Sequence, residues 1–430
     1  MASPRLARSL GATLLAASVV FAVAAAGSPP PSASSSPSAS PTPSPTTNPA
    51  DAALVTQRVQ AAMRGSTAAH ADYEIEVSGI GTIAHDATRR SAPASNEKLL
   101  TSLTLLDLVG PTYRYVTTVS GTAAISDGTI DGDLVLVGGG DPTLTRRNLG
   151  SMARQLAAKG LQHVTGRLVI DDTRYSQTTV APGWKRAFVP EESGTVDAFT
   201  VDNNDWRNGV AFDTDPTRDN AGLWRTALAN NGITVDGPTA IEPRPAVLLP
   251  LVSHSSMPLS EIVGMTLRES INFYAEMMLR EAGFQRSGHG SLATGTAAVQ
   301  ARADVLSIPV GIIEDGSGLS YADRESPSAF TALLDVLPTQ TSAYSAIYAG
   351  LPVSCTSGGT LEGRLCEPAV RGIVRAKTGT LDRISSLSGY AVTSGNRLIV
   401  FSFLLSGIGN VYTANDHIDA AIRAVVNTAA

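Results

Sequence analysis

The sequence is poor in cysteine, lysine and charge, and each shortage excludes a class of protein. Only two of the 430 residues are cysteine, which excludes a zinc cluster or a scaffold held by many disulfides. Charged residues make up 16% and the net charge is −6, which argues against a nucleic-acid-binding protein, because such a protein presents a basic face. Hydrophobic residues reach 43%, the composition of a globular chain with a sizeable core. Arginine supplies most of the positive charge, and the few positions that keep lysine are Lys98, Lys159, Lys185 and Lys377.

The first 26 residues have the pattern of a secretory signal peptide. Arg5 and Arg8 precede an apolar run from about Leu10 to Ala26, which ends in small residues that suit signal peptidase. An uncleaved membrane anchor is the alternative, because the run is slightly long for a signal. Residues 27–49 are rich in Pro, Ser, Ala and Thr, which predicts a disordered linker. We therefore expect an exported protein, at the extracellular face of the cytoplasmic membrane, in the cell wall or secreted.

The two cysteines fit an exported protein. Cys355 and Cys366 are close in sequence, and Gly358 and Gly359 let the chain turn back between them. We expect a disulfide, since such bonds persist in oxidising compartments. Two buried free thiols are the alternative. A catalytic cysteine is disfavoured because no histidine-containing motif accompanies either residue.

Strand patterns near both ends of the chain flank helical patterns, which predicts an α+β fold. The expected strands lie within 71–88 and at 373–377, 386–392 and 398–404. The expected helices lie at 95–109, at 259–279 with a break, at 329–337 and at 413–426.

The middle of the chain has a different sequence pattern, which predicts short strands, turns and one helix near residues 221–231. We interpret residues 116–249 as an inserted β-rich domain. The sequence then predicts a discontinuous catalytic domain made of residues 50–115 and 250–430. Because its two parts come together, strands near 71–88 should pair with those at 373–404, with the last helix packed against them.

The first candidate motif is Ser95-Asn96-Glu97-Lys98. Positions i and i+3 of a helix share a face, so the Ser95 hydroxyl and the Lys98 amine can meet. A lysine that is partly removed from water beside a helix N-terminus has a lowered pKa and can act as a base. A capping serine followed by a solvated lysine is the structural alternative.

The second candidate motif is Ser270-Ile271-Asn272, in which a hydroxyl and an amide lie two residues apart. Such a pair could relay a proton and hold a substrate amide, although a simple helix start has the same composition. Ser394-Gly395-Asn396 has the same spacing, but it is expected in a hairpin turn, so we set it aside.

The third candidate motif is Lys377-Thr378-Gly379-Thr380, at the end of a predicted strand. Gly379 would let a substrate backbone lie close to the strand. Lys377 and the two threonines offer donors for a carboxylate. A strand end followed by a turn is the alternative.

Each motif is weak alone, but the ordered set S-x-x-K, S-x-N and K-T-G is typical of penicillin-binding proteins and β-lactamases. The longer sequence resembles the class C low-molecular-mass penicillin-binding proteins, the D-alanyl-D-alanine carboxypeptidase/endopeptidase family. The similarity runs from about residue 55 to about residue 410. The stretches that carry it are 93–101, 132–144, 164–172, 183–184, 315–320, 359–361 and 376–381. Ile271 departs from the aspartate that is common in the second motif.

The resemblance implies a penicillin-binding-protein-like transpeptidase domain and a serine peptidase. Ser95 would attack the penultimate D-alanine of a peptidoglycan stem peptide, and Lys98 would take its proton. The backbone N–H groups of Ser95 and Thr380 would form the oxyanion hole. Ser270 would pass a proton to the leaving amine, and Asn272 would bind a side amide of the substrate.

The same resemblance assigns the terminal carboxylate of the substrate to Lys377, Thr378 and Thr380, with Gly379 in contact with the substrate backbone. β-Lactam antibiotics would acylate Ser95. No cofactor is expected, and no metal site either, because the six histidines show no paired spacing. Two other functions stay open: a β-lactamase, which would release penicillin rapidly, and a catalytically inactive cell-wall-binding homologue.

Overall fold

The computed structural model describes residues 49–178, 180–204 and 215–428, so the predicted signal peptide and all but the last residue of the predicted linker lie outside it. Within these residues the helices are α1 (Pro49–Met63), α2 (Glu97–Val109), α3 (Arg146–Ala158), the short α4 (Phe188–Glu191), α5 (Pro216–Ala229), α6 (Leu259–Arg268), α7 (Asn272–Ser287), α8 (Leu292–Leu306), α9 (Pro327–Val336), α10 (Thr341–Gly350) and α11 (Val411–Thr428). The strands are β1 (His70–Val77), β2 (Gly81–His85), β3 (Val116–Gly121), β4 (Ile125–Ser126), β5 (Thr129–Ile130), β6 (Leu134–Val137), β7 (His163–Val164), β8 (Leu168–Asp171), β9 (Thr234–Val235), β10 (Thr239–Ile241), β11 (Leu249–Ser255), β12 (Arg375–Leu381), β13 (Ile384–Val392) and β14 (Leu398–Ser406).

Strands from both ends of the chain form one five-stranded sheet in the order β12-β13-β14-β1-β2. Every neighbouring pair is antiparallel, and Tyr73 of β1 lies opposite Phe403 of β14. Helices α1 and α11 pack on one face of this sheet, where Val59 and Ile418 join its apolar side chains in a common core. The predicted pairing of the N-terminal and C-terminal strands, with the last helix against them, is therefore confirmed.

The opposite face of the sheet carries a helical layer made of α2 and α6–α10. Helix α2 lies at its centre, and residues 97–106 are all buried, among them Leu99 and Leu103. The predicted helix 259–279 is two helices, α6 and α7, and the break that the sequence suggested falls at residues 269–271. Helices and antiparallel strands thus form separate layers, and the predicted α+β class is confirmed.

The middle of the chain forms two further sheets, ordered β10-β8-β6-β3-β11 and β4-β5-β7-β9. Helices α3 and α5 pack on them, with Leu149 and Trp224 fully buried in the shared core. The segment is less purely β than we expected, because α3 and several parallel strand pairs such as β6 with β8 were not foreseen. Thr145 caps α3 and exchanges hydrogen bonds with Asn148, a local signal that the sequence does carry.

The border of the insertion also shifts. Strand β11 starts at Leu249 and pairs with β3 over its whole length to Ser255, so it belongs to the sheet of the middle segment. We propose that the insertion spans residues 116–255, six residues beyond the expected border at 249, and that the catalytic domain comprises the segments on either side.

The predicted disulfide between Cys355 and Cys366 is present. It closes a loop within the connection between α10 and β12. The Cα atoms of the two residues are 4.9 Å apart. Inside the loop, Leu361 is fully buried against the α11 side of the five-stranded sheet. The bond therefore holds a loop that also contributes to the core.

Replacing both cysteines by serine should lower the free energy of unfolding by about 2–3 kcal/mol, because the open loop regains entropy in the unfolded chain. Urea unfolding of the oxidised wild type and the double variant measures the difference. A reductant should destabilise the wild type and leave the double variant unchanged. Identical urea midpoints for the two proteins would contradict a structural role for the bond.

Candidate active site

Ser95 lies in a 3₁₀ turn, Ala94–Asn96, that leads directly into α2. The turn is tied to the five-stranded sheet, because the Asn96 side chain donates a hydrogen bond of 2.8 Å to the Ser388 hydroxyl on β13. Asn96 is fully buried, whereas Ser95 is partly exposed. A rigid turn therefore presents the Ser95 hydroxyl to solvent at the start of a buried helix.

Lys98 is fully buried one turn along the helix. Its Nζ donates to the Ser95 hydroxyl (2.9 Å), to the Asn272 side-chain oxygen (2.7 Å) and to the Ser317 carbonyl (2.6 Å). Burial lowers the pKa of Lys98 to about 8, although the charges of Asp315, Glu276 and other carboxylates oppose the shift. A substantial fraction of this amine is thus neutral near physiological pH and able to accept a proton.

Ser270 lies in the break between α6 and α7, in the left-handed region with φ of 59°. Its hydroxyl accepts a hydrogen bond of 2.9 Å from the Nζ of Lys377, which also donates to the Thr378 carbonyl (2.7 Å). Lys377 is fully buried on β12, and burial, together with the charge of Lys98, holds the pKa of its amine well below the ordinary range. Each motif serine therefore contacts a buried lysine.

Strand β12 approaches the turn that carries Ser95 so closely that only glycine fits at position 379. A Cβ there would lie 2.2 Å from the Ser386 hydroxyl and 2.9 Å from the backbone nitrogen of Ser95. On either side of Gly379, Thr378 donates a hydrogen bond of 2.6 Å to the Thr360 hydroxyl, and Thr380 is exposed. The glycine thus sets the spacing between the turn that carries Ser95 and the strand.

The three predicted motifs meet in one cleft of about 950 Å³. Ser95, Ser270, Asn272, Thr378 and Thr380 line it. The two lysines lie beneath the serines to which they are hydrogen-bonded. The structure therefore brings together all the residues that the sequence selected for catalysis and substrate binding, whereas the Cys355–Cys366 bond lies outside the lining of this cleft.

The sequence did not predict the residues that hold the loop whose Ser317 carbonyl accepts a hydrogen bond from Lys98. Glu276 on α7 is fully buried, and its carboxylate accepts from the backbone N–H groups of Gly316 (2.9 Å) and Ser317 (2.8 Å). Asp315 accepts from three backbone N–H groups of the same loop. These contacts fix the Ser317 carbonyl that Lys98 uses. The run Asp315-Gly316-Ser317-Gly318 predicts a turn, but the sequence does not show that this turn presents a carbonyl to Lys98.

The middle segment also contributes to the cleft, which the sequence did not indicate. The Asn272 side chain donates to the Glu192 carbonyl (3.1 Å) and to the Glu192 carboxylate (3.2 Å). The Phe188 ring stacks on Tyr321 with centroids 6.3 Å apart, and both rings line the cleft. One wall of the cleft is thus built from residues of the middle segment.

A family model described as D-Ala-D-Ala carboxypeptidase 3 (S13) matches residues 51–212 and 208–428, which together make up most of the chain. The chain belongs to the S13 peptidase family. The sequence resemblance and the assignment as a serine-type D-Ala-D-Ala carboxypeptidase, a hydrolase, are confirmed.

Curated relatives agree with this S13 assignment. The chain is 28% identical over 407 residues to a D-alanyl-D-alanine carboxypeptidase of Actinomadura sp. (strain R39), covering 75% of this chain and 74% of the relative. It is 27% identical over 367 residues to carboxypeptidase DacB of Mycolicibacterium smegmatis, covering 77% and 75%. Among solved structures, penicillin binding protein 4 of Haemophilus influenzae shares the fold with a TM-score of 0.79 at 20% identity, covering 86% of this chain and 99% of that one.

In this S13 chain, Gly379→Ala should impair the site without unfolding the protein. The added methyl must push β12 away from the Ser95 turn, because the contacts in its way are backbone atoms and a buried hydroxyl. We expect penicillin acylation to slow by about tenfold or more, as for a misplaced reacting group. Gly222→Ala is the matched control, because a Cβ at that position meets nothing within 4 Å. Equal acylation rates for both variants would contradict the close approach.

Proposed function

We propose that this chain is a serine D-Ala-D-Ala carboxypeptidase/endopeptidase that cleaves peptidoglycan stem peptides through an acyl-enzyme on Ser95. The observation that supports it most directly is the hydrogen bond of 2.9 Å between the buried Lys98 amine and the partly exposed Ser95 hydroxyl. A serine is a weak nucleophile until a positioned base removes its proton. Lys98 is such a base, because burial already favours its neutral form.

Acylation begins when Lys98 takes the Ser95 proton and the serine oxygen attacks the carbonyl carbon of the penultimate D-alanine. The negative charge that develops on the substrate oxygen is held by the backbone N–H groups of Ser95 and Thr380. Gly379 supports this pairing, because its close approach brings β12 against the Ser95 turn. Losing one such donor typically slows a reaction by about 10²–10³.

Ser270 then relays the proton taken by Lys98 to the leaving amine as the amide C–N bond breaks, and Lys377, bonded to the same hydroxyl, supports the transfer. Asn272 binds a side amide of the stem peptide. Water finally hydrolyses the ester on Ser95 and frees the enzyme.

Lys377, Thr378 and Thr380 receive the terminal carboxylate of the substrate. In the empty site, burial disfavours the charged form of Lys377. An arriving carboxylate reverses this effect, because a nearby opposite charge favours the ammonium form. The carboxylate of the substrate therefore stabilises the ammonium form of Lys377 that binds it, which favours peptides with a free C-terminus.

β-Lactam antibiotics are proposed as further ligands that acylate Ser95. A solved structure of the Haemophilus influenzae protein contains a β-lactam, and a Bdellovibrio bacteriovorus endopeptidase of the same fold was solved in a form acylated by penicillin G. We further propose that the chain is exported to the cell wall, with membrane contact only through an uncleaved N-terminal segment. Within residues 49–178, 180–204 and 215–428, no helix is long and apolar enough to span a bilayer.

Ser95→Ala should abolish both D-alanine release and covalent labelling by a fluorescent penicillin, because the attacking oxygen is gone. Ser102→Ala on the same helix is the matched control. The Ser102 hydroxyl is buried and has no hydrogen-bond partner among the described residues, so its removal should change neither readout. Labelling of the Ser95 variant at the wild-type level would refute the assignment of the nucleophile.

The rate of penicillin acylation should rise with pH. Lys98 must be neutral to accept a proton and its pKa is about 8, so the rate should increase about tenfold per pH unit well below 8 and level off above it. Unfolding should not limit the measurement at high pH. Because the pKa of Lys98 is lower in the folded chain, its contribution to the free energy of unfolding rises with pH between about 8 and its ordinary value of 10.5. Rapid-mixing acylation rates between pH 6 and 10 test this, and a flat profile would exclude Lys98 as the base.

A further inference from the structure

Residues 184–192 of the middle segment form a strap along one side of the active-site cleft. The strap is fixed at its start, because the Trp184 indole N–H donates a hydrogen bond of 2.6 Å to Asp315. Beyond this anchor, residues 185–187 and 191–192 are exposed. The strap is therefore attached at one end and open to solvent over much of its length.

Weak contacts hold the middle of the strap against the catalytic domain. Lys185 forms an ion pair with Asp382, a side chain that is 76% exposed, in the turn between β12 and β13. Phe188 adds its ring stack on Tyr321. An exposed ion pair contributes little, because water and salt screen its charges. The middle of the strap can thus move away from the cleft at a small cost.

The end of the strap occupies the amide group that the substrate needs. The Asn272 side-chain oxygen already accepts from Lys98 (2.7 Å), so only the NH₂ group of Asn272 is left to bind a substrate carbonyl. That group donates to the Glu192 carbonyl (3.1 Å) and to the Glu192 carboxylate (3.2 Å). An amide NH₂ has two hydrogens, and Glu192 supplies an acceptor for each. Substrate and Glu192 therefore compete for Asn272.

The Glu192 carboxylate also acts on the base. Burial lowers the pKa of Lys98, and the charge of Glu192 is among those that oppose this shift. The other charged groups that interact with this amine are Asp315, Glu276, Glu97 and Lys377. All four are fully buried, whereas Glu192 is exposed at the end of the strap. Glu192 is thus the charge in this set that can leave without unfolding the core.

We propose that the strap is autoinhibitory: Glu192 occupies the Asn272 amide in the empty site, and the side amide of a substrate must displace it. This inference rests on the function proposed above. Displacement also takes a negative charge away from Lys98, so the neutral form of the lysine becomes more populated as the site fills. A ligand with the correct side amide thereby activates the base that takes the Ser95 proton.

Two penicillins separate this inhibition from general effects on the cleft. Benzylpenicillin carries a side amide, whereas 6-aminopenicillanic acid has a free amine in its place and has no carbonyl there to bind Asn272. Both present the same β-lactam ring and carboxylate to Ser95. The two readouts are the penicillin concentration that gives half the maximal acylation rate and the pH midpoint of that rate.

Glu192→Ala removes the carboxylate that accepts from Asn272, and Glu192→Gln removes its charge but keeps an acceptor. Glu192→Ala should lower the half-maximal concentration of benzylpenicillin by about two- to fivefold, the effect of one hydrogen bond, and leave that of 6-aminopenicillanic acid unchanged. Both variants should move the pH midpoint to lower pH with both penicillins. Glu191→Gln is the matched control, because Glu191 is exposed, carries the same charge and does not line the cleft. It should keep both readouts at the wild-type values.

Lys185→Ala tests the strap as a whole. The Glu192 carbonyl is still present in the Glu192 variants, so it leaves Asn272 only when the strap moves. Loss of the ion pair with Asp382 should ease this movement and lower the half-maximal concentration of benzylpenicillin by a smaller factor than Glu192→Ala. Lys159→Ala, which removes an exposed lysine at the end of α3, is the matched control and should behave as the wild type.

An unchanged half-maximal concentration of benzylpenicillin in Glu192→Ala would overturn the competition for Asn272, and so would an equal gain with 6-aminopenicillanic acid. An unchanged pH midpoint in Glu192→Gln, or the same shift in Glu191→Gln, would overturn the effect on Lys98. A Lys185→Ala variant identical to the wild type would overturn the movement of the strap. A wild type that reacts with neither penicillin would instead refute the proposed function itself.

Discussion

The burial of the Lys98 amine is the constraint on which the arrangement of the site depends. An ammonium group removed from water needs several acceptors, and this one takes them from three separate parts of the chain: Ser95, Asn272 and Ser317. The turn before α2, the start of α7 and the loop before α9 must all be in place for the group to be satisfied. Burial of this one amine thus brings Ser95 and the residues around it together.

A group of carboxylates lies beneath Lys98 and sets the net charge of the buried region. Burial raises the pKa of Glu97 well above its ordinary value, and it raises that of Glu325 to about 8, so Glu325 is largely protonated near neutral pH. Burial and the charge of Asp315 also raise the pKa of Glu276, although Arg280 at 3.1 Å and two backbone N–H groups oppose the shift. Among the neighbouring carboxylates, Asp315 and Glu276 raise the pKa of Lys98 most, and both also accept hydrogen bonds from the Ser317 loop.

The sequence predicted the parts of this structure that are encoded locally. The Ser95–Lys98 contact follows from helical spacing, and the break before α7 follows from a change in pattern near Ser270. Glu276 and Glu192 could not be found in this way, because their roles depend on loops distant in sequence that reach them only in the folded chain. The sequence assigned residues 250–255 to the catalytic segment because the pairing of strand β11 with β3 is not revealed by the residues of β11 themselves.

The middle segment of the chain also reaches a carboxylate whose charge acts on Lys98. The Trp184 indole N–H donates a hydrogen bond of 2.6 Å to Asp315, whose other contacts hold the loop that presents the Ser317 carbonyl. Loss of the Trp184 side chain would therefore remove one hydrogen-bond donor from Asp315, a carboxylate whose charge raises the pKa of Lys98.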